Sequence, residues 1–147
     1  MKRIMITLIF LQTFLILTAP ANERLFVPVA EPLSVELNWH NIRKEVARLD
    51  IREPDILFLQ IRLETGNLTS RLCRECNNLT GMKKAVRRKT TAIGREKNGA
   101  AVYDSWQDSL KDYKLWQDYM YRGGDYLMFL SRVYTTDPYY LSKLKRL

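Results

Sequence analysis

Histidine and cysteine are nearly missing from this chain: 147 residues contain one histidine, His40, and two cysteines, Cys73 and Cys76. A structural zinc site usually draws four ligands from those residue types, and His40 lies far from the cysteine pair, so no metal is expected, nor any organic cofactor. His40, beside Trp39 near the start of a helical pattern, reads as a surface or capping residue rather than a catalytic base. The pair in Leu72-Cys73-Arg74-Glu75-Cys76 lacks the strand and helix context of a redox motif. Within one helical turn it reaches disulfide distance, which leaves a local disulfide and two free thiols equally open. A glycine-rich phosphate loop, internal repeats and low-complexity tracts are absent as well.

Also lacking is an apolar run of the roughly 20 residues that a membrane-spanning helix needs. Ile4 to Leu17 is shorter and is interrupted by Gln12 and Thr13. With Lys2 and Arg3 before it and Ala19-Pro20-Ala21 after it, the segment has the layout of a secretory signal peptide over residues 1–21. An uncleaved anchor is the alternative, and membrane contact is expected through this segment alone. The protein is therefore expected outside the cytoplasm, in periplasm or medium. Removing Lys2 and Arg3 lowers the formal charge from +8 to +6. Such an excess suits an anionic partner, and export directs the choice to an extracytoplasmic polymer instead of nucleic acid.

What remains after Ala21 fits one domain with a modest core. Residues 22–37, with Pro28 and Pro32, read as an extended arm, and 38–147 as the folded domain. A short helix is expected from Asn38 to Leu49. Glu53-Pro54-Asp55 opens a second, because proline in a first turn loses no hydrogen bond. Behind it Ile56 to Glu64 is apolar on nearly every side, the pattern of a central buried helix, and Gly66 stops it. Glu64 thus stands at the last turn of the most apolar helix. A carboxyl partly removed from water has a raised pKa and suits a proton donor near neutral pH; a side chain simply emerging into solvent at the helix end is the plainer reading.

Thr90 to Gly94 and Ala100 to Tyr103 flank Lys97-Asn98-Gly99, a hairpin signal. Lys83 to Lys89 carries five positive charges in seven residues and is expected to be a solvated loop, with an anion-binding stretch as the alternative. After a cap at Asp104 or Ser105, Trp106, Leu110, Tyr113, Trp116 and Met120 form one helical stripe. Gly123-Gly124 ends that helix, Asp125 caps another reaching about Tyr134, and Asp137-Pro138 starts a last short one. The fold class expected is α+β, mainly α, with one small hairpin.

Four strings now acquire a joint meaning: Leu63-Glu64-Thr65-Gly66-Asn67, Asn77-Asn78-Leu79-Thr80-Gly81-Met82-Lys83, Val102-Tyr103-Asp104-Ser105-Trp106 and Val133-Tyr134-Thr135-Thr136-Asp137-Pro138-Tyr139-Tyr140. In order and spacing they resemble the successive motifs of the bacterial glucosaminidase family related to flagellar and autolysin hydrolases. The resemblance implies a lysozyme-like fold whose cleft, between an α-lobe and a small β-lobe, holds a peptidoglycan glycan strand. It maps the general acid onto Glu64 and the family tyrosine near the scissile sugar onto Tyr134. Asn78, Leu79 and Gly81 match the motif that shapes the cleft, and Tyr103 and Trp106 are candidates to face it. Glu96, on the hairpin, is the candidate for the second carboxylate that two-carboxylate glycosidases use as base or nucleophile. Thr80 departs from the family pattern, which usually has an aromatic there. The implied activity is an endo-β-N-acetylglucosaminidase acting on peptidoglycan as a monomer. A muramidase or lytic transglycosylase on the same fold, and a non-catalytic wall-binding module, are the alternatives.

Overall fold

The computed structural model describes residues 35–147. The expected signal peptide, Met1 to Ala21, and the arm up to residue 34 lie outside the described residues.

The first helix, α1 (Trp39–Arg48), starts where the Asn38 side chain accepts a hydrogen bond from the Asn41 amide at 2.9 Å, and it buries Ile42 and Val46, one turn apart. Pro54 opens α2 (Pro54–Thr65), the apolar helix, which ends at Gly66 with φ +54°. The chain stays left-handed through Asn67 and Leu68. Thr65 holds this stop together: its hydroxyl donates to the Ile61 carbonyl at 2.6 Å and accepts from the Leu68 amide at 2.7 Å. A short helix that the sequence pattern leaves unassigned, α3 (Arg71–Cys76), follows under a Ser70 cap. Both its cysteines are free and buried; Cys73 joins the main core, and the Cys76 thiol donates to Glu96 Oε1 at 3.5 Å.

The hairpin is shorter than the two β-prone runs suggest. Strands β1 (Gly94–Arg95) and β2 (Ala101–Val102) pair antiparallel, Gly94 opposite Val102 and Arg95 opposite Ala101. The other edge of β2 is met by the chain just after Gly81: Ala101 N–H donates to the Met82 carbonyl at 2.9 Å, and Lys84 N–H donates to the Gly99 carbonyl at 3.1 Å. The small lobe is thus built from three segments, and the Met82–Lys84 segment ties it to the cleft.

Ser105 caps α4 (Trp106–Met120), the longest helix, with the Asp108 amide as donor. Trp106, Leu110, Tyr113 and Trp116 of the expected stripe are buried, whereas Met120 is exposed. Asp125 caps α5 (Tyr126–Val133), and α6 (Tyr140–Leu144) starts after Asp137 and Pro138 have formed the preceding turn. One apolar cluster collects side chains from α1, α2, α4, α5 and α6, and a second, of Ala92, Ala101 and Tyr103, lies under the hairpin. The expected fold class, α+β and mainly α with one small hairpin, is the one observed.

The basic run departs from the solvated loop expected of it. Arg88 reaches into the interior and pairs with Asp112 of α4, Nη1 to Oδ1 at 2.7 Å and Nη2 to Oδ2 at 3.2 Å, with the Asp112 side chain fully buried. Tyr103 donates its hydroxyl to the same carboxylate at 2.8 Å. A buried, bidentate, hydrogen-bonded pair of this kind fixes both partners, so residues 83–91 form a pinned strap.

Candidate active site

A cavity of about 700 Å³ opens between the strap, α4 and the segment after α5, and Glu64 lines it. The carboxyl is placed by α2, which buries Leu57, Gln60, Ile61 and Thr65, and by the left-handed stop that follows. One oxygen is engaged inside: Tyr140 of α6 donates its hydroxyl to Glu64 Oε1 at 3.1 Å. Gln60, one turn earlier on α2, donates to that same hydroxyl at 3.2 Å and accepts from Tyr113 at 2.6 Å. Tyr126 donates to Tyr113 at 2.6 Å and accepts from Gln117 at 2.9 Å. With Tyr113 committed to Gln60 and Tyr140 to Glu64, all these donors point one way, from Gln117 to the carboxyl, and such chains reinforce each bond in them.

The other oxygen, Oε2, faces Gly81. An added Cβ at Gly81 would lie 2.7 Å from it, and the residue has φ +66°. Glycine is required here for both reasons, close approach and left-handed backbone. The turn carrying it is held from behind: Asn78 Nδ2 donates to the Met82 and Ala101 carbonyls, both at 2.9 Å, and the Leu79 amide donates to Ser109 Oγ at 3.0 Å. Tyr134, also on the cavity wall, donates its hydroxyl to the Thr80 carbonyl and packs on Trp116 and Tyr140.

Burial pushes the Glu64 carboxyl above its usual range, against the opposing pull of the Tyr140 hydroxyl and the Lys143 charge. Because Oε1 already accepts from Tyr140, a proton carried by Glu64 belongs on Oε2, the oxygen on the Gly81 side. The phenol of Tyr134 is also raised by burial and stays protonated. The arrangement can deliver one proton from a held carboxyl into the cavity.

Of the residues singled out from sequence, Glu64, Gly81 and Tyr134 meet at this cavity. The others are placed differently. Asn78 and Leu79 are buried behind the wall, where they shape the turn and touch no solvent. Tyr103 and Trp106, candidates to face the cleft, are core residues, their donors spent on Asp112 and on the Val35 carbonyl. Thr80 is fully buried as well, so an aromatic at that position would meet the interior. Glu96 is not among the lining residues: Arg71 Nη2 holds it at 3.0 Å and keeps its carboxyl below the usual range, together with the Cys76 thiol. Tyr140 and Gln60 were missed, although a lone glutamine one turn before Glu64 in an apolar helix was a readable sign of a polar partner.

A sequence profile described as mannosyl-glycoprotein endo-beta-N-acetylglucosaminidase, the Glucosaminidase family, matches residues 39–147. The chain belongs to that family. No curated protein shows significant similarity to this glucosaminidase-family chain. A chain in a type VI secretion system effector-immunity complex from Pseudomonas protegens is similar in fold, with TM-score 0.52 and 22% identity over 70% of this chain and 80% of that one. The catalytic domain of the autolysin Auto from Listeria monocytogenes aligns with TM-score 0.46 and 22% identity, over 70% of this chain and 73% of that one.

Two substitutions probe this glucosaminidase-family site. Gly81→Ala is expected to cut kcat by about tenfold to a hundredfold, since displacing a reacting group by about 1 Å costs on that order, and to cost about 1 kcal/mol of stability at a positive φ. Steady-state kinetics and a denaturant titration read the two effects. Tyr140→Phe removes a bond that favours the Glu64 carboxylate, so the pKa rises further and the alkaline limb of the kcat/KM profile moves to higher pH. Gln60 loses a partner in the same variant, at a cost of about 1–3 kcal/mol for an unpaired buried donor.

Proposed function

We propose that this protein is an exported peptidoglycan hydrolase that cuts the glycan strand at N-acetylglucosaminyl bonds, with Glu64 as general acid. The observation that carries the reading is Glu64 itself: a carboxyl raised by burial, one oxygen held by Tyr140, the other against Gly81, and both residues lining a cavity large enough for sugar residues. Family membership supports a glycoside hydrolase acting on peptidoglycan.

Among the described residues lining the cavity Glu64 is the sole carboxylate. That favours a route in which the substrate supplies the nucleophile. Glu64 gives its proton to the glycosidic oxygen as the bond to the anomeric carbon breaks, and the neighbouring N-acetyl oxygen closes onto that carbon. Water then opens the ring, returning its proton to Glu64, and the configuration is retained. Tyr134, neutral and on the wall, holds the turn that carries Gly81 through its bond to the Thr80 carbonyl. Glu96, bound to Arg71, has no part in this route.

The same single acid also serves a lytic transglycosylase, in which a sugar hydroxyl attacks instead of water, and product chemistry separates the readings. Purified peptidoglycan digested by the mature protein, then reduced with borohydride and analysed by mass spectrometry, is expected to yield reduced N-acetylglucosamine ends. Anhydromuramic ends would move the assignment to the transglycosylase, and reduced muramic ends to a muramidase. No release, with glycan binding intact, would leave a wall-binding module. Export is checked separately by the N-terminus of the protein recovered from the producing cell, expected at Asn22.

A further inference from the structure

The cavity has one acidic and five basic lining side chains: Glu64 against Lys83, Lys84, Arg87, Arg88 and Arg132. Their roles divide sharply. Arg88 is consumed by its buried pair with Asp112, and Lys84 donates to the Ile93 carbonyl at 3.4 Å. Lys83, Arg87 and Arg132 are exposed and make no ion pair among the described residues. Lys83 and Arg87 sit on the strap, and Arg132 sits near the end of α5. Exposed cations are ordinarily solvated and mobile, and worth little. Here the Arg88–Asp112 anchor fixes the strap from which Lys83 and Arg87 line the cavity. The rim between them is apolar: Val86 is 86% exposed and Tyr119 51% exposed, both on the cavity wall. An apolar surface flanked by cations suits a sugar strand that carries anionic groups, and a neutral glycan would leave the cations without partners.

We infer that Lys83, Arg87 and Arg132 form an anion subsite of this cavity that selects glycan strands bearing carboxylates close to the scissile bond. The inference rests on the glycan-hydrolase reading of the cavity. In peptidoglycan two sources supply such groups: the lactyl ether of muramyl sugars once the peptide is removed, and the stem peptide when it is present. Arginine favours carboxylates through its paired donors, and lysine adds charge without a fixed geometry.

The test uses the mature chain and four substrates: peptide-free strands with free lactyl carboxylates, peptide-bearing strands, and each of these with its carboxyls converted to methylamides. The ratio of kcat/KM for free over amidated strands is expected to be at least about tenfold, the size of one charge-assisted contact, and to shrink as salt is raised. It should fall toward one in Arg87→Glu and Arg132→Glu. Whichever free-carboxylate strand shows the larger ratio identifies the source. Equal turnover of free and amidated strands by the parent would overturn the subsite and leave the hydrolase reading standing. Binding of the same four strands to Glu64→Gln, measured by co-sedimentation, separates the two claims. Selective binding without turnover in the parent would keep the subsite and remove the hydrolase, and unselective binding would remove the subsite.

Discussion

Glu64→Gln is expected to lower kcat on peptidoglycan by about 10²–10⁴-fold, the usual contribution of a positioned general acid, with KM changed little. Glutamine keeps the size of the side chain and can still accept from Tyr140, but it brings no transferable proton. The pH dependence distinguishes this loss from a packing defect. As the proposed general acid Glu64 acts in its protonated form, so kcat/KM of the parent is expected to fall as pH rises through the raised pKa, and the residual rate of the variant to lack that limb. Stability also falls as pH rises, but there the substitution is expected to help where it harms activity. A carboxyl whose folded pKa lies above its unfolded value contributes stability that is fully present below the unfolded pKa. That contribution is lost as pH rises through the folded one. Above its folded pKa the parent therefore bears the cost of a partly buried charge, and Glu64→Gln removes it. Thermal melts at pH 4 and pH 8 are expected to show the variant gaining on the parent as pH rises. An inactive variant that is also less stable at pH 8 would mean that Glu64 is structural.

The local signals in the sequence place α2 and the carboxyl at its end, Glu64, where the structure has them. Pro54 and Gly66 bound α2, and Asn38, Ser70, Ser105 and Asp125 each accept the capping hydrogen bond their residue type favours. A helix apolar on all sides left one carboxyl at its end, and that position was readable. Less legible was everything decided by pairing across long stretches of chain. Tyr140 is 76 residues from Glu64, and Arg88 is 24 from Asp112. No periodicity marks either pair. Tyr103 and Trp106 fail for a related reason: an aromatic beside a motif suits a sugar platform and a core equally, and only the packing of α4 against the hairpin and Val35 decides. The basic run shows the same limit. Five cations in seven residues look solvated until one of them finds a buried carboxylate.

That buried carboxylate gives the largest expected effect on stability. Asp112→Ala leaves the Arg88 guanidinium, 8% exposed, without its partner, and also strips the Tyr103 hydroxyl of its acceptor. Breaking one side of a buried ion pair costs about 3–5 kcal/mol, a large share of the roughly 5–15 kcal/mol that holds a domain together. For a domain of this size the melting temperature should drop by roughly 15 °C or more. Differential scanning calorimetry measures it directly, and a shift of only a few degrees would show that the pair is solvated. The double substitution Arg88→Met with Asp112→Leu supplies the control. Replacing both charges by apolar side chains of similar volume often restores stability, so its melting temperature should return most of the way. The geometry of the strap is a separate matter, because methionine cannot reproduce a bidentate contact to α4. The double variant should then be a folded protein with a loosened cavity wall, in which KM for carboxylated strands rises while the Glu64-dependent limb of the pH profile stays in place. Stability and substrate capture would thereby be separated through a residue pair whose charges are committed to each other.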